Sequence, residues 1–248
     1  MTRFSMTAYA ELIEAGRASG YRYLTFGEAA DGAPDHERLC LLRHDVDVSV
    51  GFALEMAQAE ATAGVRSTYF LMPRSPAYNL LSRHASLAVR EMVAMGHEVA
   101  LHYDAAHPLV DDERLTDQIR AEAALVAELA GRPVRAFSFH QPSAEIIDRK
   151  VAIRGLINTY NPNQMKDWHY ASDSNRAWRG QSGIALVRDA THVRLQLLIH
   201  PMWWVCDKHG TEAVWDEAVK SNFEAMQRQF LETEGAYGKR RTIKLSRD

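Results

Sequence analysis

The 248-residue sequence contains only two cysteines, Cys40 and Cys206, and they form neither a metal-binding pair nor a disulfide framework. Its N-terminal segment lacks the long apolar region of a secretory signal peptide. No apolar run approaches the length needed to span a bilayer. From these absences we expect a cytoplasmic protein without membrane insertion.

A strong charge of one sign is also missing. The sequence carries 29 Lys and Arg against 32 Asp and Glu, and its formal net charge of −3 includes no basic block. This balance disfavours nucleic acids and anionic membrane surfaces as partners. No Gly-x-Gly-x-x-Gly motif follows a strand, and no glycine-rich loop ends in Lys-Ser or Lys-Thr. Dinucleotide and nucleoside triphosphate binding are therefore disfavoured as well.

The sequence does contain apolar strands that alternate with helices of ten or more residues. This pattern predicts an α/β fold with a parallel sheet, and the number of strands favours a barrel over a small open sheet. We find no domain boundary, so residues 1–248 are predicted to form one domain, with an N-terminal helix at 7–19 and a long C-terminal helix at about 207–234. The predicted strands are 21–26, 38–47, 67–72, 97–104, 136–140, 156–160, 168–172, 184–187 and 193–200, the last two as a possible hairpin.

The segment 41–48, Leu-Leu-Arg-His-Asp-Val-Asp-Val, looks like a buried strand that ends in two carboxylates. Burying two neighbouring carboxylates on one face of a strand is unfavourable unless a cation compensates them, so we expect a metal nearby. Side chains alternate along a strand, which puts Arg43, Asp45 and Asp47 on one face. The alternative is an ordinary strand followed by an Asp-rich turn.

Other predicted strands also end in metal-binding or proton-transfer groups. His102 and Asp104 end one strand with His107 just beyond, and His140 and His200 end two more. The C-terminal ends of parallel barrel strands converge on one face, where the chemistry of such folds is found. His102, His107 and one aspartate would form a three-ligand metal site with open positions for water and substrate.

Three motifs resemble a known family: Arg-His-Asp-Val-Asp at 43–47, Gly-His-Glu-Val-Ala-Leu-His at 96–102 with His107, and Leu-Leu-Ile-His-Pro at 197–201. They look like the metal-dependent polysaccharide deacetylases of the NodB-homology class, carbohydrate esterase family 4. The branch associated with surface-polysaccharide genes is the more similar one, and the resemblance covers roughly residues 21–204. It implies a distorted (β/α)7 barrel. In the site, it implies Asp45 as base, His200 as acid, and a divalent metal, expected to be Zn²⁺, on Asp47, His102 and His107.

The sequence departs from the family pattern at several points. The two aspartates are two positions apart rather than adjacent. The histidine pair is five apart rather than four, so Asp104 or a water is the alternative third ligand. The family's Arg-x-Pro motif is absent, which leaves Arg43 or Arg176 to support Asp45. Segment 173–178 stands in the place of the fourth motif and supplies Asp173, Arg176 and Trp178.

The resemblance implies a metal-dependent hydrolase that removes an acetyl or formyl group from the nitrogen of an amino sugar or a sugar-containing precursor. The alternatives are a hydrolase of non-sugar amide bonds and a catalytically inactive barrel that binds metal or glycan.

Three aromatic residues, Trp203, Trp178 and Tyr160, fit either a sugar-binding surface or the core. His140 fits either a pocket-facing or a structural position. The expected partner is a small-molecule or glycan substrate, and the sequence gives no indication of oligomeric state.

Overall fold

The computed structural model of the protein describes residues 4–34, 36–106 and 110–238. Its strands are β1 Tyr21–Leu24, β2 Arg38–Val46, β3 Thr68–Leu71, β4 Glu98–Asp104, β5 Ala136–His140, β6 Ile157–Asn158, β7 His169–Ser172 and β8 Arg194–Ile199. Its α-helices are α1 Met6–Ala18, α2 Phe26–Gly32, α3 Val50–Thr62, α4 Arg83–Ala94, α5 Asp112–Ala130, α6 Ala144–Asp148, α7 Gly183–Asp189, α8 Pro201–Val205, α9 Thr211–Thr233 and α10 Gly235–Gly238, with a 3₁₀ turn at Ser174–Arg176. Within these ranges, no helix is both long and apolar enough to cross a membrane.

The strands form one parallel sheet in the order β6-β5-β4-β3-β2-β8-β7. The short strand β1 pairs with the first half of β2, where Tyr21 lies opposite Arg38. β3 pairs with the second half, where Thr68 lies opposite Arg43. The seven-strand path curls into a partial barrel surrounded by helices, and the described residues show no pairing between β6 and β7. The predicted distorted (β/α)7 barrel is confirmed.

The central strand β2 is buried along its length except at its first residue. Leu39 and Leu41 point into the barrel, where they pack with Phe26, Phe70 and other residues of an inner apolar cluster. Cys40 belongs to the outer core on the other side of the sheet. Because this alternation continues along the strand, Arg43 and Asp45 point inward above the apolar layer.

One predicted element is wrong. Residues 184–187 were expected to form a strand, and they lie instead in helix α7. The Ser182 side chain accepts a hydrogen bond from the Ala185 amide and begins this helix. A run of four apolar residues does not by itself distinguish a strand from a buried helical turn. The predicted hairpin is consequently wrong too, because both neighbours of β8 are parallel to it.

A carboxylate that the sequence pattern did not single out lies buried behind β2. Glu60 of α3 is only 1 % exposed. It accepts hydrogen bonds from the Tyr9 hydroxyl, from Ser67 Oγ at 2.6 Å and from the Tyr69 hydroxyl at 2.7 Å. The ring of His44 lies 2.7 Å from its Oε1 atom. Glu60 therefore links α1, α3, β2 and β3 through charge-assisted hydrogen bonds.

We predict that Glu60 makes the fold sensitive to acid. Burial alone would raise the pKa of this carboxyl, but His44 foremost and the Ser67 hydroxyl lower it from 4.5 to about 2. A lowered pKa contributes stability that is present above about pH 4.5 and is lost as the pH falls through about 2. The free energy of unfolding, measured with urea between pH 2 and pH 6, should fall more steeply in the wild type than in Glu60→Gln. Parallel curves for the two proteins would contradict this assignment.

Candidate active site

The carboxyl ends of β2, β4, β5 and β8 meet at one cavity of ≈ 760 Å³. The Asp and His side chains that line the cavity from these strand ends are Asp45, Asp47, His102, His140 and His200. This is the face on which parallel α/β barrels carry their chemistry.

Asp47, His102 and His140 have ligand atoms that converge on one point. Asp47 Oδ1 lies 3.1 Å from His102 Nε2 and 3.2 Å from His140 Nδ1. The two ring nitrogens are themselves 3.2 Å apart. Ligand atoms at about 2.1 Å from a tetrahedral zinc ion lie about 3.4 Å from one another. The three mutual distances therefore suit a small divalent metal.

The hydrogen bonding of Asp47 also indicates a metal site. Its Oδ1 atom is buried and has no hydrogen-bond partner of normal geometry among the residues that the structure describes. Buried carboxylate oxygens are rarely left without a partner. Two imidazole nitrogens and one carboxylate oxygen are also a donor set that Zn²⁺ accepts. These residues could hold such an ion.

The orientation of His102 is set by Ser138, a residue that the sequence pattern did not single out. His102 Nδ1 lies 2.7 Å from Ser138 Oγ, which leaves Nε2 facing Asp47. Partners of this kind orient the ligands in metal sites. Ser138 lies opposite His102 in the pairing of β4 with β5. The available signal was a single polar residue between Phe137 and Phe139 in an apolar strand.

This triad has His140 as its third member, whereas the predicted ligand set has His107. The predicted ligand His107 lies outside the described residues. Asp104, the alternative, accepts a hydrogen bond from the Ala106 amide at 3.0 Å and does not join the triad. His140, for which the sequence allows either a pocket-facing or a structural position, points into the cavity.

Asp45 is held by an arginine on its own strand. Arg43 donates from Nε to Asp45 Oδ1 at 2.9 Å and from Nη2 to Oδ2 at 2.7 Å. The guanidinium is fully buried, and its central carbon lies 5.1 Å from the centre of the Tyr160 ring. Burial alone would raise the pKa of Asp45, but Arg43 lowers it below its usual value. Asp45 is thus a fixed, ionised carboxylate.

His200 is fixed by Asp173. Its Nδ1 atom lies 2.6 Å from Asp173 Oδ1, and its Nε2 atom faces the cavity at 3.8 Å from Asp47 Oδ2. Trp204 donates from its indole nitrogen to Asp173 Oδ2 at 2.7 Å. Burial alone would lower the pKa of His200, but the nearby carboxylates, Asp173 foremost, raise it to about 9. At neutral pH the ring therefore carries a proton on Nε2.

Arg176 and Trp178 are not brought to this site. The Arg176 guanidinium donates to the carbonyl oxygens of Lys208 at 2.8 Å and Gly210 at 2.9 Å. Together with Trp178 it lines a neighbouring cavity of ≈ 530 Å³. Of Arg43 and Arg176, the two arginines that the sequence offers as supports for Asp45, Arg43 is the one in contact with it.

Aromatic side chains form part of the cavity wall. Trp203 lines it but is only 4 % exposed, because it packs in the outer core. Tyr170 of β7 and Trp215 of α9 line the same cavity and are 47 % and 41 % exposed. The rings of Trp203 and Trp215 meet edge to face at 6.3 Å. Trp215 was not among the predicted site residues, because nothing in its helical segment marks it as pocket-facing.

Comparison with known proteins gives matches among solved structures. No family model matches the chain, and no curated protein matches it. A pseudoenzyme of carbohydrate esterase family 4 from Bacillus anthracis is 16 % identical, with a TM-score of 0.44 over 79 % of this chain. A family 4 carbohydrate esterase from Streptomyces lividans, solved with acetate, is 17 % identical, with a TM-score of 0.46, over 75 % of this chain and 88 % of that one. A family 4 acetyl xylan esterase from Clostridium thermocellum, solved with a cobalt ion, is 14 % identical, with a TM-score of 0.43, over 78 % and 90 % of the two chains.

These structures are described as members of the family that the three sequence motifs resemble. This chain spans 63 % of the length of the Bacillus anthracis pseudoenzyme. At such low sequence identities the similarity concerns the fold alone. The chemistry of this protein therefore rests on its own side chains.

We predict that His140 contributes more to metal affinity than the supporting residue Ser138. Loss of a ligand in His140→Ala should weaken Zn²⁺ binding by more than about 100-fold, whereas Ser138→Ala should cost about 10-fold, in the range for supporting residues. Competition titration with a chromophoric chelator measures both. The exposed His84→Ala is the control and should bind as the wild type does. If His107→Ala abolishes binding while His140→Ala leaves it unchanged, the third ligand is His107.

Proposed function

We propose that this protein is a metal-dependent hydrolase that removes an N-acyl group, acetyl or formyl, from an amino sugar or a sugar-containing precursor. The proposal rests chiefly on one observation. A three-residue metal triad, an ionised Asp45 and an Asp173-bound His200 all line one cavity at the carboxyl ends of the strands. Together these residues would supply a metal-binding site, a base and an acid, which metal-dependent hydrolysis of an amide needs.

The roles of the side chains follow from their contacts. When bound at the triad, a divalent metal would polarise the amide carbonyl and lower the pKa of water. Asp45 would accept a proton from the attacking water, while Arg43 keeps its carboxylate in place. His200 would donate its Nε2 proton to the leaving amine nitrogen, because its Nδ1 proton is engaged by Asp173. The products are a free carboxylate and a free amine.

Two exposed aromatic residues favour a sugar substrate over a non-sugar amide. Tyr170 and Trp215 keep much of their surface open to water in the cavity, although large aromatic side chains are normally covered. Aromatic rings stack on the apolar face of a sugar ring and present a polar edge to its hydroxyl groups. The small polar residues Ser172, Ser174 and Asn175 in the same wall fit hydroxyl recognition.

One observation favours the second candidate, a barrel that binds metal or glycan without turnover. Both oxygens of Asp45 accept hydrogen bonds from Arg43. A carboxylate stabilised in this way is a weaker base than a free one. If the metal does not sufficiently activate water, the site binds without hydrolysing.

The decisive experiment is metal analysis of the purified full chain followed by measurement of acetate and formate release. The substrates are a panel of N-acyl amino sugars, N-acyl nucleotide sugars and non-sugar amides.

We expect His200→Ala to retain the metal and lose turnover by about 10²–10⁴-fold, because it removes the proton donor. Asp47→Ala should lose the metal itself. Full activity in both variants would refute the assignment, and a metal-loaded wild type that releases no acyl group from any substrate supports the binding barrel.

A separate prediction concerns the sugar. Trp215→Ala should raise KM for the preferred amino sugar about 5- to 10-fold and leave kcat and metal affinity unchanged, because stacked aromatic contacts contribute about 1 kcal/mol. Phe223→Ala is the matched control, since Phe223 is an exposed aromatic residue on the same helix and lies outside the cavity. An unchanged KM in Trp215→Ala would argue for a substrate without a sugar ring at this position.

A further inference from the structure

His44 lies on β2 between Arg43 and Asp45, but its ring points to the opposite face of the strand. The Nε2 atom lies 2.7 Å from Glu60 Oε1, and the Nδ1 atom lies 3.2 Å from the carbonyl oxygen of Ile199. Carboxylate and carbonyl oxygens only accept hydrogen bonds, so both ring nitrogens must carry protons. The doubly protonated, cationic ring is therefore the form of His44 that satisfies both contacts.

The other histidine near Glu60 has a different protonation state. His97 donates from Nε2 to the Ala57 carbonyl oxygen at 3.0 Å and accepts at Nδ1 from the Ser67 amide at 3.3 Å. This pattern belongs to a neutral ring, and burial lowers the pKa of His97. His44 is therefore the charge that balances the Glu60 carboxylate.

The peptide group between Ile199 and His200 is held at both ends. Its carbonyl oxygen faces the His44 cation, and its N–H donates to both carboxylate oxygens of Asp173 at 3.1 Å. A peptide unit has its negative end at the oxygen and its positive end at the N–H. The cation and the anion therefore favour the same orientation of this one peptide group, from which the His200 side chain begins.

We propose that the His44–Glu60 ion pair positions His200, acting through the carbonyl group of Ile199. This role rests on the proposed function, in which His200 is the acid. His44 does not line the cavity and is a positioning residue rather than a catalytic one. Without the hydrogen bond from His44, the 199–200 peptide keeps its N–H contact with Asp173 but loses the contact that fixes its carbonyl oxygen. A displacement of about 1 Å at a reacting group can cost about 100-fold in rate.

The wild-type protein provides the first test. Nitrogen-15 NMR of the full chain at neutral pH should show two N–H protons on the His44 ring. It should also show a strongly downfield Nδ1 proton on His200, because that proton lies in a short hydrogen bond to Asp173. A His44 ring with a single N–H proton would overturn the proposal.

Two variants of His44 separate its two contacts. Asparagine places its amide nitrogen near the position of Nδ1, whereas glutamine places it near the position of Nε2. We expect His44→Asn to be the less stable variant, because Glu60 loses its partner, yet to keep the His200 proton signal and a kcat within about 3-fold of wild type. We expect His44→Gln to be the more stable variant but to shift that signal and lose kcat about 10- to 100-fold at unchanged KM.

His97→Gln is the matched control, since His97 shares the Glu60 surroundings while its own hydrogen bonds go to Ser67 and Ala57, neither of which is in β8. It should lower stability and leave both the His200 signal and kcat unchanged. If signal and kcat in the two His44 variants simply follow their stability, the role of His44 is structural and the proposal fails. If the wild type hydrolyses no substrate, the proposed function fails separately, because the NMR comparison needs no turnover.

Discussion

The two-pronged contact between Arg43 and Asp45 lies inside the barrel, and both residues are almost inaccessible to water. Removing one partner of such a buried pair typically costs 3–5 kcal/mol, because the other charge is left uncompensated. Phe70 and Tyr160 flank the guanidinium at 5.3 and 5.1 Å, so Arg43 lies between aromatic rings rather than in water. The interior of the barrel is consequently divided into an apolar lower layer and a charged upper layer.

The buried carboxylates of the protein share a consistent charge arrangement. Asp45 has Arg43, Asp173 has the protonated His200, and Glu60 behind the sheet has His44. Asp47 is the carboxylate among these that has no fixed cation of its own, although two ring nitrogens lie within 3.2 Å of it. The position that lacks a permanent cation is also the position with metal-ligand geometry.

The convergence of strand ends was predictable because apolar runs that close on Asp or His are rare and parallel strands share one carboxyl edge. Other features were not predictable from pattern. His140 shares a face of β5 with Ser138, which contacts His102, but both faces of this strand are buried, so the pattern does not show which face turns inward. Glu60 looks like any polar residue of a helix until its partners, far apart in sequence, are brought together. Helix α7 formed where a short apolar run suggested a strand, because Ser182 caps it and α1 packs against it.

Glu60 has a consequence for how this barrel unfolds. Its donors come from α1, β2 and β3, which are separated by up to 60 positions in the chain. Opening any one of these elements would leave a buried carboxylate short of a donor, so partial detachment is costly. The N-terminal helix should therefore not fray independently, and its amides should exchange with solvent as slowly as those of the central strands. One side chain thus joins the periphery of the fold and the strand beneath the candidate active site into a single cooperative unit.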